Sequence, residues 1–306
     1  MPMPLSARID WRILAPALVI TAGICWGLIG LFSQTLASMG LDSVQITVVR
    51  CVISAATLFV YLALCRRSAF RIKLRHIPLF IGTGVLSIAF FNVCYFACIQ
   101  ICGLSIAAIL LYTAPCFVVL LSVIIFKERL TKQKLIALLI AFTGCLLVVG
   151  LGSGEMRFSI LGVLLGIGSG IGYALYSLFA RVALKHYTAP TVMFYTFLCA
   201  SIALVPLSSV GNIVSLAVSS SFALGVMLLL ALVSTVLPFA CYTVGLAHME
   251  AGRASIMAFV EPMVALIIGV SVFHDALMPL NVVGIVLILA AVTLLNLPEK
   301  GMFGWR

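Results

Sequence analysis

The sequence is short of charge. Of its 306 residues only 18 are Lys or Arg and 8 are Asp or Glu, too few to cover a water-soluble body of this size and far too few for a disordered chain. Long polar stretches are missing too: residues 77–126 and 186–249 contain no Asp, Glu, Lys or Arg at all. No GxxxxGK[ST] loop is present and no loop could house a nucleotidase domain, so energy from ATP is not expected. The spans hold no paired Asp residues and no His-rich cluster, the constellations an intramembrane enzyme needs. Ten cysteines occur without one CxxC pair. Although Cys94, Cys98 and Cys102 share a helical face, thiols inside spans behave as small hydrophobes, so neither a metal nor a cofactor is expected.

What the chain has is apolar length. With 64% hydrophobic residues and a mean hydropathy of +1.31, it reads as an all-α integral membrane protein. Runs of about 20 residues can cross a hydrocarbon core roughly 30 Å thick. Ten are expected, at 13–34, 43–65, 77–99, 104–126, 135–152, 159–180, 190–210, 222–246, 254–273 and 279–297. The uncharged run 77–126 would measure roughly 75 Å as one helix, so it must fold back near Gln100–Gly103. In 186–249 the Ser, Asn and Gly residues of 208–221 mark the turn. A membrane barrel would need short alternating segments instead.

Basic residues then sort by side. With both termini in the cytoplasm, 16 of the 18 fall inside, only Arg157 falls outside, and Arg50 lies within the second span. This is the positive-inside pattern of a cytoplasmic membrane protein, and it accounts for the net charge of +10 without a nucleic-acid partner. The basic 66–75 loop is on this reading a topology signal.

The chain also repeats itself. An offset of 147 residues aligns the halves without a gap and brings Gly23, Tyr95, Pro115, Phe126 and Leu130 onto Gly170, Tyr242, Pro262, Phe273 and Leu277. Five spans per copy is an odd number, so the second copy enters the bilayer from the opposite face: an inverted-topology repeat, typical of secondary transporters. The expected units are 13–152 and 159–297, with tails 1–12 and 298–306 in the cytoplasm. Each half resembles one EamA unit of the drug/metabolite transporter superfamily. The match rests on the Arg of span 2, a Pro in mid-span 4 or 9, and an acidic turn such as Phe126-Lys127-Glu128-Arg129-Leu130-Thr131. The second copy departs from it with Phe273-His274-Asp275-Ala276-Leu277, and Thr113-Ala114-Pro115 stands where the family often has Glu before Pro. The resemblance implies that spans 1–4 and 6–9 surround a central cavity, with 5 and 10 peripheral. It also implies movement, commonly export, of amino acids, related metabolites or drugs.

Candidate site residues follow from what a bilayer penalises. Ionisable groups there are costly, so Arg50 and Glu261 need partners. One reading has them line the cavity and hold the charged ends of a zwitterion, with Glu261 exchanging a proton, which makes protons a candidate coupling ion. The other is a permanent ion pair, or for Arg50 a bond to helix-end carbonyls. Each charge exists in one half only: Arg50 aligns with Phe197 and Glu261 with Ala114. Pro115 and Pro262 should kink their spans, free the carbonyls of Leu111 and Ala258, and serve as hinges. Trp26, Asn92, Tyr95, Tyr112, Tyr173, Tyr176 and Tyr242 cluster at corresponding positions, as cavity lining or as helix packing. The spacing of Gly162, Gly166 and Gly170 marks a close packing face. His248 and Glu250 read as interfacial. The expected activity is alternating-access transport of a small amphipathic metabolite, an amino acid or derivative. A multidrug exporter recognising cations through Glu261 and aromatics is the alternative, and an intramembrane enzyme or a scaffold is the more distant one.

Overall fold

A computed structural model of the chain describes residues 10–149 and 159–297. Arg157, Lys300, Arg306, Arg8 and residues 150–152, all assigned a side or an element above, lie outside them. Among the described residues there is no strand, and ten helices are long and apolar enough to cross a membrane: Trp11–Ser38, Ser43–Cys65, Leu74–Cys102, Leu104–Phe126, Lys132–Val149, Ile160–Ala183, Ala189–Leu207, Ser221–His248, Ala251–Val272 and Pro279–Asn296. We number them spans 1 to 10. The uncharged run 77–126 does fold back at Gly103, whose positive φ of 89° is a conformation that suits glycine.

One feature of the 208–221 turn escaped the composition: it holds a short helix, Val210–Ser219. Ser220 then caps span 8, accepting the Ala223 N–H at 3.1 Å.

Three spans are broken. Span 1 is interrupted at Leu28, span 4 between Leu111 and Ala114, and span 9 between Met257 and Val260. The breaks in spans 4 and 9 occupy the same place in the repeat, each just before its proline, so Pro115 and Pro262 open the following half-helix, where a missing N–H costs least. The expected free carbonyl at Ala258 is not free. It accepts the Glu261 N–H at 2.9 Å, because the tightened turn brings that donor within reach.

Spans 3 and 8 share another irregularity, a π-helical stretch at Gly82–Ala89 and at Leu232–Val236. Such bulges cluster at functional sites. Packing repeats as well: span 1 lies on the end of span 8 just as span 3 lies on span 6, and span 2 pairs with span 7. Spans 5 and 10 pack on each other through Gly144 and Gly284. The glycines of span 6 set its distance from spans 3 and 4, with Gly162 against Cys102, Gly166 against Leu110 and Cys98, and Gly170 against Thr113. A side chain at any of these would meet a neighbour head-on.

Trp11 at the start of span 1 and Asn296 at the end of span 10 lie on one face of the bundle, since ten crossings return the described chain to its starting side. We call this the terminal face.

Candidate functional site

A cavity of about 440 Å³ sits between the two halves, a size suited to a small organic ligand. Its lining comes from spans 1–4 and 6–9, with no residue from span 5 or 10. Ser33, Gln34, Ala37, Ser43 and Leu104 form its mouth, and all lie at span ends on the face opposite the termini. Its aromatic floor, Tyr176, Phe197, Phe239 and Tyr242, lies nearer the terminal face.

Arg50 and Glu261 both line this cavity, yet they do not form an ion pair among those found in the described residues. Span 2 packs on spans 7 and 8, not on span 9, so the two groups approach from different walls. The Arg50 Nε donates to the Thr235 hydroxyl at 3.0 Å, and that hydroxyl donates to the Leu230 carbonyl at 3.0 Å. The π-helical stretch thus turns Thr235 inward and points its oxygen lone pair at the guanidinium. This fixes one edge of Arg50 and leaves its terminal nitrogens toward the cavity. Glu261 is held otherwise. Tyr173 of span 6 donates to one carboxylate oxygen at 3.2 Å, and Tyr112, at the break in span 4, donates to the other at 3.5 Å.

All of Trp26, Asn92, Tyr95, Tyr112, Tyr173, Tyr176 and Tyr242 lie on the cavity wall, but their polar groups divide into two sets. Tyr112 and Tyr173 are committed to Glu261. Tyr176 pairs with Thr243 at 2.6 Å and Tyr242 with Ser177 at 2.8 Å, which occupies both hydroxyls within the protein. Asn92 donates to the Ile88 carbonyl at 2.7 Å, and its amide oxygen lies 3.4 Å from the Thr47 hydroxyl, which also donates to the Ser43 carbonyl at 2.9 Å. Trp26 stands edge-on to Phe239, ring centroids 5.3 Å apart, and 5.2 Å from Tyr242. Gly27 permits this, because any side chain there would run into Val264 and the Glu261 carbonyl of span 9.

Pro115 and Pro262 are not in the cavity lining. They sit one turn away, at the breaks that aim Tyr112 and Glu261.

Sequence reasoning missed Thr235, Phe197 and Phe239. The internal alignment contained a signal for two of them, since Phe197 is the counterpart of Arg50 and Phe239 the counterpart of Asn92. Thr235 gave none, because its role depends on the bulge. Among the described residues no group of three or more His, Cys, Asp or Glu is placed to hold a metal ion.

This cavity between inverted five-span halves can be set beside known proteins. The EamA-like transporter family matches residues 13–150 and again residues 160–297. The chain belongs to the EamA-like transporter family. It is 32% identical to an uncharacterized transporter of Archaeoglobus fulgidus, covering 68% of this chain and 74% of that one. It is 30% identical to a pseudopaline exporter of Pseudomonas aeruginosa over 56% of this chain and 58% of the relative. With a probable amino-acid metabolite efflux pump of Salmonella typhimurium the identity is 23%, over 75% and 78%. A crystal structure only 15% identical shares the fold of this EamA-like chain with a TM-score of 0.75, over 92% of this chain and 96% of the other.

Proposed function

We propose that this EamA-like protein is a secondary transporter that exports a small zwitterionic metabolite, an amino acid or derivative, across the cytoplasmic membrane by alternating access. The observation that carries the proposal is the separation of Arg50 and Glu261 on two walls of one cavity, each bonded to neutral hydroxyls and neither to the other. Unpaired charges are expensive at membrane depth. A ligand with a carboxylate and an ammonium meets both, its carboxylate on the free nitrogens of Arg50 and its ammonium on Glu261, while the aromatic floor covers its apolar part. An organic cation would satisfy Glu261 and leave Arg50 facing a second positive charge. Two relatives, an exporter and a probable efflux pump by name, support the direction.

The gathering of basic residues at the terminal face supports a cytoplasmic position for both termini. On that orientation the cavity opens outward. Glu261 is the candidate proton carrier, as the one carboxylate in the cavity lining. The test is transport in proteoliposomes with the substitution Glu261→Gln: exchange should need higher substrate concentrations, because the ammonium loses its carboxylate, and the exchange that remains should no longer respond to an imposed pH gradient. Gradient dependence equal to that of the unaltered protein would contradict proton coupling through this residue.

A further inference from the structure

The acidic turn that follows span 4 does more than end a helix. Glu128, with its side chain 4% exposed, accepts the Ala251 N–H at 2.8 Å and the Gly252 N–H at 3.3 Å, the first amides of span 9. Lys134 lies 3.6 Å from its carboxylate and Arg181 also 3.6 Å. Lys134 reaches on to Glu250 at 2.8 Å, and Arg181 donates to the Met249 carbonyl. This cluster, buried at Glu128 and Lys134 and open to solvent at Glu250, ties spans 4 and 5 of the first half to spans 6, 8 and 9 of the second, at the terminal face.

The turn that follows span 9 has the same backbone. Lys127 and its counterpart His274 both take a left-handed conformation, φ 54° and 58°. The Glu128 N–H bonds to the Ser122 carbonyl at 3.3 Å, and the Asp275 N–H bonds to the Gly269 carbonyl at 3.1 Å, residues again 147 apart. Yet Asp275 is exposed at the opposite face. Its mirror target, the start of span 4 at Leu104, is 62% exposed at the cavity mouth. The half-helix Ala251–Met257 packs on Ala114–Phe126, whereas the mirror pair, Leu104–Leu111 and Val260–Val272, shows no comparable packing.

We propose that Glu128 and Asp275 are the latches of two alternating gates, with Glu128 closing the terminal face in this state and Asp275 docking on the first amides of span 4 when the opposite face closes. Equivalent backbones make the second docking available to the chain, and rocking of inverted halves exchanges which one is made. The two latches are unequal. The counterpart of Arg181 is Gln34 and that of Lys134 is Asn281, so neither cation beside Glu128 has a charged counterpart in the other half. Both caps are carboxylates on amides, but only Glu128 also has the cations Lys134 and Arg181 at 3.6 Å, and this imbalance keeps the resting protein open at the mouth.

The inference rests on the transporter reading but not on any substrate. Gly30 lines the cavity and a side chain there meets open space, so Gly30→Cys reports access through the mouth. In lipid nanodiscs, its reaction with a water-soluble maleimide is read by peptide mass spectrometry, which leaves the native cysteines in place. Glu128→Gln should slow the reaction at least threefold by weakening the closed gate. Gln34→Arg combined with Asp275→Glu should slow it as much by strengthening the open one, and this pair changes two exposed positions and leaves the Glu128 cluster intact if Glu128→Gln does not fold. Unchanged or faster labelling in either variant, in monodisperse protein, overturns the proposal. Because no substrate is added, that failure is distinct from a wrong substrate assignment.

Discussion

The site is organised around two charges that the protein supports without neutralising. Thr235 is the least obvious part of that support. A hydrogen bond to a charged group is worth about 1.5–3 kcal/mol, so Thr235→Val should weaken substrate binding by about tenfold or more while the protein folds normally; direct binding to detergent-solubilised protein measures this. Arg50→Gln should abolish binding of substrates that carry a carboxylate, and affinity unchanged within twofold would remove Arg50 from the site. Single residues were legible to the extent that chemistry marks them. An Arg and a Glu inside apolar runs stand out, and so do aromatics repeated at one offset. Glu128 stood out only as part of the acidic turn, and Lys134 and Arg181 only as basic residues on the inner side. Charges at span ends look like topology signals, and only folding brings Glu128 to amides 123 residues away. Lys134 and Arg181 therefore do more than orient the chain: they hold two halves together.

At the scale of elements, the ten spans were legible because hydrocarbon thickness sets their length. Their interruptions were legible only near proline. The break at Leu28 and the π-helical stretches have no residue that forces them, and the short helix at Val210–Ser219 is well below the length of a crossing. Glycine faces decide how closely the elements approach. Gly166→Leu should push span 6 off span 4, with a destabilisation of about 1–3 kcal/mol typical of overpacking, visible as a lower thermal unfolding midpoint. Gly225→Ala in span 8 is the control, since a side chain there meets nothing within 4 Å, and the midpoint should not fall.

For the whole molecule the inverted duplication is the governing fact. Its sequence trace was the constant offset of 147 residues, and its structural counterpart is a set of matched breaks, bulges and turns. Function lies in the departures from that symmetry. Arg50 and Glu261 each occur in one half, which makes the cavity bipolar, and the cations beside Glu128 have no counterparts beside Asp275, which makes the gates unequal. The central claim is that the cavity takes a ligand carrying both charges. Its most direct test is a competition panel in proteoliposomes: counterflow of a radiolabelled amino-acid mixture, challenged with unlabelled amino acids, their amides lacking the carboxylate, and quaternary ammonium compounds. The account predicts competition by intact zwitterions and none by the amides or the quaternary cations. Competition by the cations with no effect of the zwitterions would contradict it.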